Sequence, residues 1–257
     1  MKVCEVDMKD NKIVIITGGS RGIGAATSRL FASNGYKICI NYKSDEKSAN
    51  TIVHELQKLG TTCIAVKADV SKESDVIRLF ETVDKELGTV SVLINNIGLM
   101  LPQMRLEDMN AERINKMLTT NVTAYFLCSR EAVKRMSHKH GGNGGAIVNV
   151  SSGASKTGAP NEYIDYAASK GAIDTLTIGL AREVATEGIR VNGVRPGSTY
   201  TNMHADGGEP DRIERVKDKI PMQRGAQPEE IANAIYWLST ENASYSTGSF
   251  MDVMGGC

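Results

Sequence analysis

Cysteine is scarce and scattered in this 257-residue chain: five residues, Cys4, Cys39, Cys63, Cys128 and Cys257, an odd number in no C-x-x-C arrangement. That pattern excludes a disulfide framework and a thiolate metal knuckle, and the cysteines read as packing groups in a reducing cytosol. The four histidines, His54, His138, His140 and His204, have no cysteine or carboxylate cluster at ligand spacing, so no metal site is expected. Excess charge of either sign is also missing, with 30 Lys and Arg against 30 Asp and Glu. Nothing therefore suggests nucleic acid or an anionic membrane as partner, and short clusters such as Lys134-Arg135 are expected on solvated helix faces. No run approaches the ~18 apolar residues of a membrane span. Met1 to Asn11 alternates charge with short apolar residues and lacks the apolar core of a secretory leader, so a cytoplasmic protein is expected. No proline-rich linker, low-complexity run or composition break divides the chain, and one domain over residues 1–257 is expected.

What the sequence does carry is alternation. Short β-branched apolar runs predict strands at about 12–17, 36–42, 61–68, 90–95, 146–150, 189–195 and 248–253. Between them, helical patterns fill about 21–34, 45–59, 72–87, 108–138, 164–187 and 228–239. Strand and helix in turn imply an α/β fold, a doubly wound parallel sheet of seven strands with helices on both faces. Ligands of such sheets bind at the carboxyl ends of the strands.

Two motifs fall at those ends. Lys12 to Ile16 runs into Thr17-Gly18-Gly19-Ser20-Arg21-Gly22-Ile23-Gly24, and a helical pattern follows. Strand, glycine turn and helix start are what a dinucleotide needs: glycines let the backbone approach a pyrophosphate, and the helix N-terminus offers unpaired N–H groups. Further on, Tyr166-Ala167-Ala168-Ser169-Lys170 puts a phenol and an ammonium at i and i+4, on one helix face. A free tyrosine titrates near ~10, so a neighbouring cation is expected to lower it toward the working pH.

The glycine turn resembles the T-G-x-x-x-G-x-G of the short-chain dehydrogenases/reductases, and Tyr166 with Lys170 resembles their Y-x-x-x-K. Asp69-Val70, Asn95-Asn96-Ile97-Gly98, Asn121-Val122, Val150-Ser151-Ser152, Pro196-Gly197 and Thr247-Gly248 fall in that family's order, from about Lys12 to Gly256. Within the family the chain looks like the 3-oxoacyl-carrier-protein reductase and sugar dehydrogenase branch. It departs at Ile97, where the family has a small residue, and in the fourteen positions from Ser152 to Tyr166, one more than many relatives have.

The resemblance implies a single-domain Rossmann fold and hydride transfer between a nicotinamide cofactor and a carbonyl or secondary alcohol. Tyr166 would be the general acid–base, Lys170 its cationic helper and ribose ligand, and Ser152 the group that holds the substrate oxygen. Ser152 is preferred over Ser151, whose side chain should point the other way on an extended segment, and over Ser155, deeper in the loop. Asn121 would anchor a water chain from Lys170. Around the cofactor the resemblance places Gly18, Ser20, Arg21, Gly22, Ile23, Gly24, Asn41, Tyr42, Asp69, Val70, Asn96, Gly98, Pro196, Gly197, Thr199 and Thr201. Arg21 offers a planar fork for a 2′-phosphate, and no acid follows Asn41-Tyr42-Lys43 until Asp45, which is expected to cap the next helix. NADP is therefore expected, with NAD as the alternative. The polar segment at about 200–222 should close over the cofactor as a lid. Small hydroxylated substrates and 3-oxoacyl thioesters both remain open, as does a catalytically silent NADP-binding sensor or scaffold. A homotetramer is expected from the resemblance, and from apolar residues on several faces of the helices at about 108–138 and 164–187.

Overall fold

The computed structural model describes residues 12–257, so Cys4 and the leader expectation for Met1–Asn11 lie outside the described residues. Seven strands form one sheet: β1 (Ile13–Thr17), β2 (Lys37–Tyr42), β3 (Cys63–Lys67), β4 (Val92–Asn95), β5 (Gly145–Val150), β6 (Ile189–Pro196) and β7 (Phe250–Val253). Their order is β3-β2-β1-β4-β5-β6-β7 and every pairing is parallel. Among the described residues the α-helices are α1 (Gly22–Ser33), α2 (Glu46–Lys58), α3 (Glu73–Glu86), α4 (Ala111–Leu118), α5 (Ala124–Met136), α6 (Ala154–Thr157), α7 (Ile164–Val184), α8 (Met203–Asp206), α9 (Arg212–Val216) and α10 (Pro228–Ser239).

β1 shows why both faces need cover. All five of its residues are buried. Ile13 and Ile15 join one core with Leu79 and Phe80 of α3 and Cys128 of α5. Val14 and Ile16 join the other with Phe31 of α1, Leu56 of α2 and Ile235 of α10. That alternation is the two-residue period of a strand, and a strand apolar on both faces belongs inside a parallel sheet. After β3 the chain returns to pair β4 with β1, and the reversal opens a crevice at the carboxyl ends of these two strands.

The single helix expected at about 108–138 is instead α4, a π-helical turn at Thr119–Thr123, and α5. Such turns add a residue to the helical ladder and re-aim side chains. Here the turn holds Asn121, whose Oδ1 accepts from the Leu99 N–H at 2.7 Å while its Nδ2 donates to the Leu99 carbonyl at 2.9 Å. Asp45 caps α2 as expected, accepting from the Ser48 N–H at 3.0 Å and hydroxyl at 2.7 Å.

Lys134 and Arg135 do more than decorate a solvated face. They donate at 2.9 Å each to the two carboxylate oxygens of Glu131, which is only 4% exposed. Burial opposes the Glu131 charge, but bonds from Lys134 and Arg135 prevail and hold its carboxyl below the ordinary range. A depressed folded pKa stabilises above the unfolded value of ~4.3 and is lost as pH falls through the folded one. Glu131→Gln should therefore cost about 2 kcal/mol at pH 7, the scale of bonds to charged groups. Urea denaturation at pH 7 and at pH 3 should show the gap closing on acidification; an equal gap at both would reject the assignment.

Candidate active site

The carboxyl ends of the strands frame one cavity of about 700 Å³. At its cofactor end, Gly18 (φ +63°) and Gly22 (φ +49°) take the left-handed conformation that side chains resist. A Cβ on Gly24 would lie 2.2 Å from the Gly18 carbonyl oxygen, so helix and turn pack as closely as backbone allows. Asn96 fastens the turn, its Nδ2 donating to the carbonyls of Thr17 at 3.1 Å and Gly18 at 3.2 Å. At the start of α1, Arg21 makes no side-chain cap bond and the first turn holds no acid, leaving N–H groups directed to an anion. This bare cradle suits a pyrophosphate.

The chemistry lies further in. Ser152 follows β5, and it lines the cavity together with Tyr166 in the first turn of α7, its hydroxyl favouring the Tyr166 phenolate. The Ser151 hydroxyl points away and donates to the Lys170 carbonyl at 3.2 Å; that of Ser155 is taken by the Ser152 carbonyl at 2.8 Å. Geometry thus separates the three serines. Lys170 sits one turn after Tyr166, but its Nζ donates to the Val150 carbonyl at 2.8 Å and to the Tyr125 hydroxyl at 3.2 Å.

The expected lowering of the Tyr166 pKa is not seen in the chain by itself. Burial pushes Tyr166 up to about 12, against opposing pulls from Ser152 and Arg212. Burial likewise brings Lys170 down to about 7, with Asp174 opposing. Desolvation penalises both charged forms, and Lys170 lies 5.8 Å from the Tyr166 ring centre, engaged elsewhere.

Most residues expected at the cofactor line the cavity: Gly18, Ser20, Arg21, Gly22, Ile23, Tyr42, Asn96, Gly98, Pro196, Gly197, Thr199 and Thr201, along with Ser152, Tyr166 and Lys170. Gly24 lies beneath the turn. Asn41 is a correction: it is buried, and its amide donates to the Ala68 carbonyl at 3.0 Å, tying β2 to the end of β3. Asp69 and Val70 also stay off the wall. Val70 is in the core, and Asp69 pairs with Lys43 at 2.9 Å and accepts from the Ser71 hydroxyl at 2.6 Å. Asn121 stands behind the wall, its Nδ2 also 3.2 Å from the Ser169 hydroxyl. Ile97 lines the cavity and packs on the core, absorbing the bulk that a smaller residue would lack.

Several residues escaped the sequence reading. Lys43 joins Arg21 on the cofactor wall, and Arg21 approaches Asp45 at 3.8 Å and Asp206 at 3.5 Å. Tyr125, buried, hydrogen-bonds the carbonyls of Ile97 and Val150 at 2.9 Å each. Its place four residues after Asn121 was a readable signal; the π turn was not. At the far end, Met100, Tyr163 and Met203 pack against Tyr166, and Arg212 stacks on the Tyr163 ring at 4.7 Å. Glu209 is held near 2 by its bond from Arg215, then by Arg212, against burial. Among the described residues no three His, Cys, Asp or Glu gather as a metal site, and no helix is long and apolar enough to cross a membrane.

Comparison with known proteins agrees with this geometry. The family model described as enoyl-(acyl carrier protein) reductase matches residues 18–257. The oxidoreductase YgfF of Escherichia coli (strain K12) is 55% identical over 244 residues, covering 95% of this chain and 99% of that one. Glucose 1-dehydrogenase 2 of Bacillus subtilis (strain 168) is 34% identical, covering 95% and 94%. Among solved structures, a short chain dehydrogenase from Burkholderia cenocepacia in complex with NADP superposes with a TM-score of 0.87 at 29% identity, covering 96% and 98%. A 3-ketoacyl-(acyl-carrier-protein) reductase from Brucella melitensis complexed with NADH gives 0.88 at 30%, with the same coverage. Matches of this extent decide the matter: the chain belongs to the short-chain dehydrogenase/reductase family.

Proposed function

We propose that the chain is an NADP-dependent oxidoreductase that exchanges a hydride with a carbonyl or secondary alcohol on a small molecule such as a sugar, polyol or keto compound. The observation that carries this is the Ser152–Tyr166 hydroxyl pair in one cavity with the glycine turn. A bound nicotinamide supplies or accepts the hydride. In reduction, Tyr166 is protonated at neutral pH and gives its proton to the substrate oxygen, while Ser152 holds that oxygen as charge develops. Lys170, poised near 7, can meet the resulting phenolate with an ammonium. Asn121 steadies α7 through Ser169 and anchors the route by which protons are replaced. An intact constellation argues against a silent sensor.

Tyr166→Phe should lower turnover at least ~100-fold, the scale of general acid–base catalysis, with cofactor affinity nearly unchanged. Steady-state kinetics on a panel of sugars, polyols and ketones, beside calorimetry with the cofactor, make the comparison. A variant retaining a tenth of the activity would remove Tyr166 from the role.

The preference for NADP draws on Arg21 and Lys43 at the cofactor end, and on Asp45, whose carboxylate is taken up by Ser48. The NADP complex of the Burkholderia neighbour is in keeping with it. Calorimetry should find NADP bound more tightly than NAD, and Arg21→Ala should weaken NADP alone. A tenfold preference for NAD in the wild type would end the claim.

The segment at about 200–222, with α8 and α9, serves as the lid, and the buried free thiols Cys39, Cys63 and Cys128 suit a cytoplasmic home. The assembly is a homotetramer. Met117 is buried and Val133 packs on the core, but Leu118, Phe126 and Ile178 stand exposed on α4, α5 and α7. Strand β7, with Phe250, Met251 and Val253 half-buried, forms a second apolar edge. Sedimentation at micromolar concentration should give a tetramer. One species near 27.7 kDa would overturn it, and a dimer would mean that one surface is unused.

A further inference from the structure

Beside Lys170 lies a second phenol that the proposed proton transfer does not use. Tyr125, at the start of α5, is fully buried and stands behind the cavity wall, not in it. Its hydroxyl meets the Ile97 and Val150 carbonyls at 2.9 Å each and the Lys170 Nζ at 3.2 Å. A hydroxyl has one proton to give and lone pairs to accept with. Both carbonyls can only accept, so the Tyr125 proton goes to one of them. Its oxygen is left to accept from Lys170, and the polarity of that contact is fixed. The nitrogen lies 3.2 Å from this oxygen but 5.1 Å from the ring centre, so it meets the hydroxyl and not the ring face.

The consequence falls on Lys170. An ammonium carries three N–H groups. One goes to the Val150 carbonyl at 2.8 Å and one to Tyr125, so a single position on Nζ remains for whatever enters the cavity. Lys170 lines that cavity, and a Cβ on Gly98, in the same wall, would lie 3.8 Å from Nζ. The two protein partners come from different elements, the end of β5 and the start of α5, and fix a nitrogen that its flexible stem would leave free. Besides Tyr125, the charged or titratable groups that bear on it are Tyr166 and Asp174 on its own helix, and Asp174 is engaged by Arg195 at 3.0 Å. The end of β5 and the loop at Ile97-Gly98 bring no ionisable side chain.

We propose that Tyr125 is a positioning residue: its hydroxyl, fixed as an acceptor, holds the Lys170 ammonium against the end of β5 with one N–H left for the cavity. It touches neither substrate nor cofactor and acts through Lys170. This rests on the reductase reading above and deepens it. A buried ammonium that loses an acceptor is disfavoured, so removal of the hydroxyl shifts Lys170 toward the neutral amine.

The test reads the charge on Lys170 directly, with no ligand bound. Protein labelled with ¹³C at the lysine Cε is titrated by NMR, the Lys170 signal being the one that Lys170→Met removes. Tyr125→Phe keeps the ring and should lower the Lys170 midpoint by about one unit. A tyrosine fluorinated beside its hydroxyl, placed at position 125, weakens the same oxygen as an acceptor at nearly unchanged size. It should move the midpoint in the same direction, and it serves if the phenylalanine variant does not fold. A midpoint that is unmoved or raised overturns the proposal. Kinetics with NADPH and a panel of sugars and ketones give the second readout. With any compound that wild type reduces, Tyr125→Phe should lower kcat about fivefold at pH 7, with KM nearly unchanged and the loss growing as pH rises. In a Lys170→Met background the same substitution should cost nothing further. A loss that is equal in both backgrounds, or equal at all pH values, marks a purely structural role and overturns the proposal. A wild type that reduces no compound, beside a midpoint that moves as expected, overturns the reductase reading and leaves Tyr125 in place as the residue that holds Lys170.

Discussion

Lys170 is buried to 2% exposure with two oxygen partners, and the site is organised around keeping it there. Water is withheld from Lys170 and from Tyr166 alike, so one cause moves their pKa values in opposite directions, toward the neutral forms. At neutral pH the resting pair therefore holds a protonated phenol beside a lysine near its midpoint. Any negative charge created next to it, whether a phenolate or a developing alkoxide, favours the ammonium. The pair responds to charge made during a reaction, which a solvated lysine near ~10.4 could not do.

That position of Lys170 depends on four pieces of backbone meeting at one point. The Val150 carbonyl comes from the end of β5, and Tyr125 comes from the start of α5, just beyond the π turn. The turn is pinned by Asn121 on Leu99, and the Tyr125 hydroxyl reaches Ile97 in the same loop. The Ser151 hydroxyl donates to the Lys170 carbonyl, binding the end of β5 to α7. Low dielectric makes each of these bonds costly to lose. Bulk at Ile97 is tolerated because its side chain shares the core, while its backbone supplies the contact Tyr125 needs.

Legibility in the sequence followed the range of the interactions. Strand positions and site location were readable because burial on both faces writes itself into short β-branched runs such as Ile13–Thr17, and the rule that parallel sheets bind at their carboxyl ends does the rest. Tyr166, Lys170 and the glycine turn were readable because helical spacing and backbone conformation are local properties. The π turn was not, since it is selected by a bond from Asn121 to Leu99, twenty-two residues away. Asn41 misled for the same reason: position at a strand end said nothing of the carbonyls on β3 that claim its amide. The pKa of Tyr166 misled because i,i+4 spacing puts two residues on one face without fixing where the ammonium points.

The segment after β6 is held by forces of unequal strength. On the cofactor side Arg21 meets Asp206 at 3.5 Å with both side chains at least half exposed, a contact of the kind that contributes little against solvent and salt. Further along, Ile213 and Ile220 are buried, and Met203 reaches inward until its methyl would lie 3.0 Å from a Cβ on Gly98. Apolar burial of this kind carries most of the stabilisation available to so short a segment. The segment is thus anchored by its buried apolar residues and only loosely tied at Arg21. Loss of the Arg21–Asp206 contact would leave these buried apolar contacts in place, and with them the part of the cavity wall that Met203 supplies.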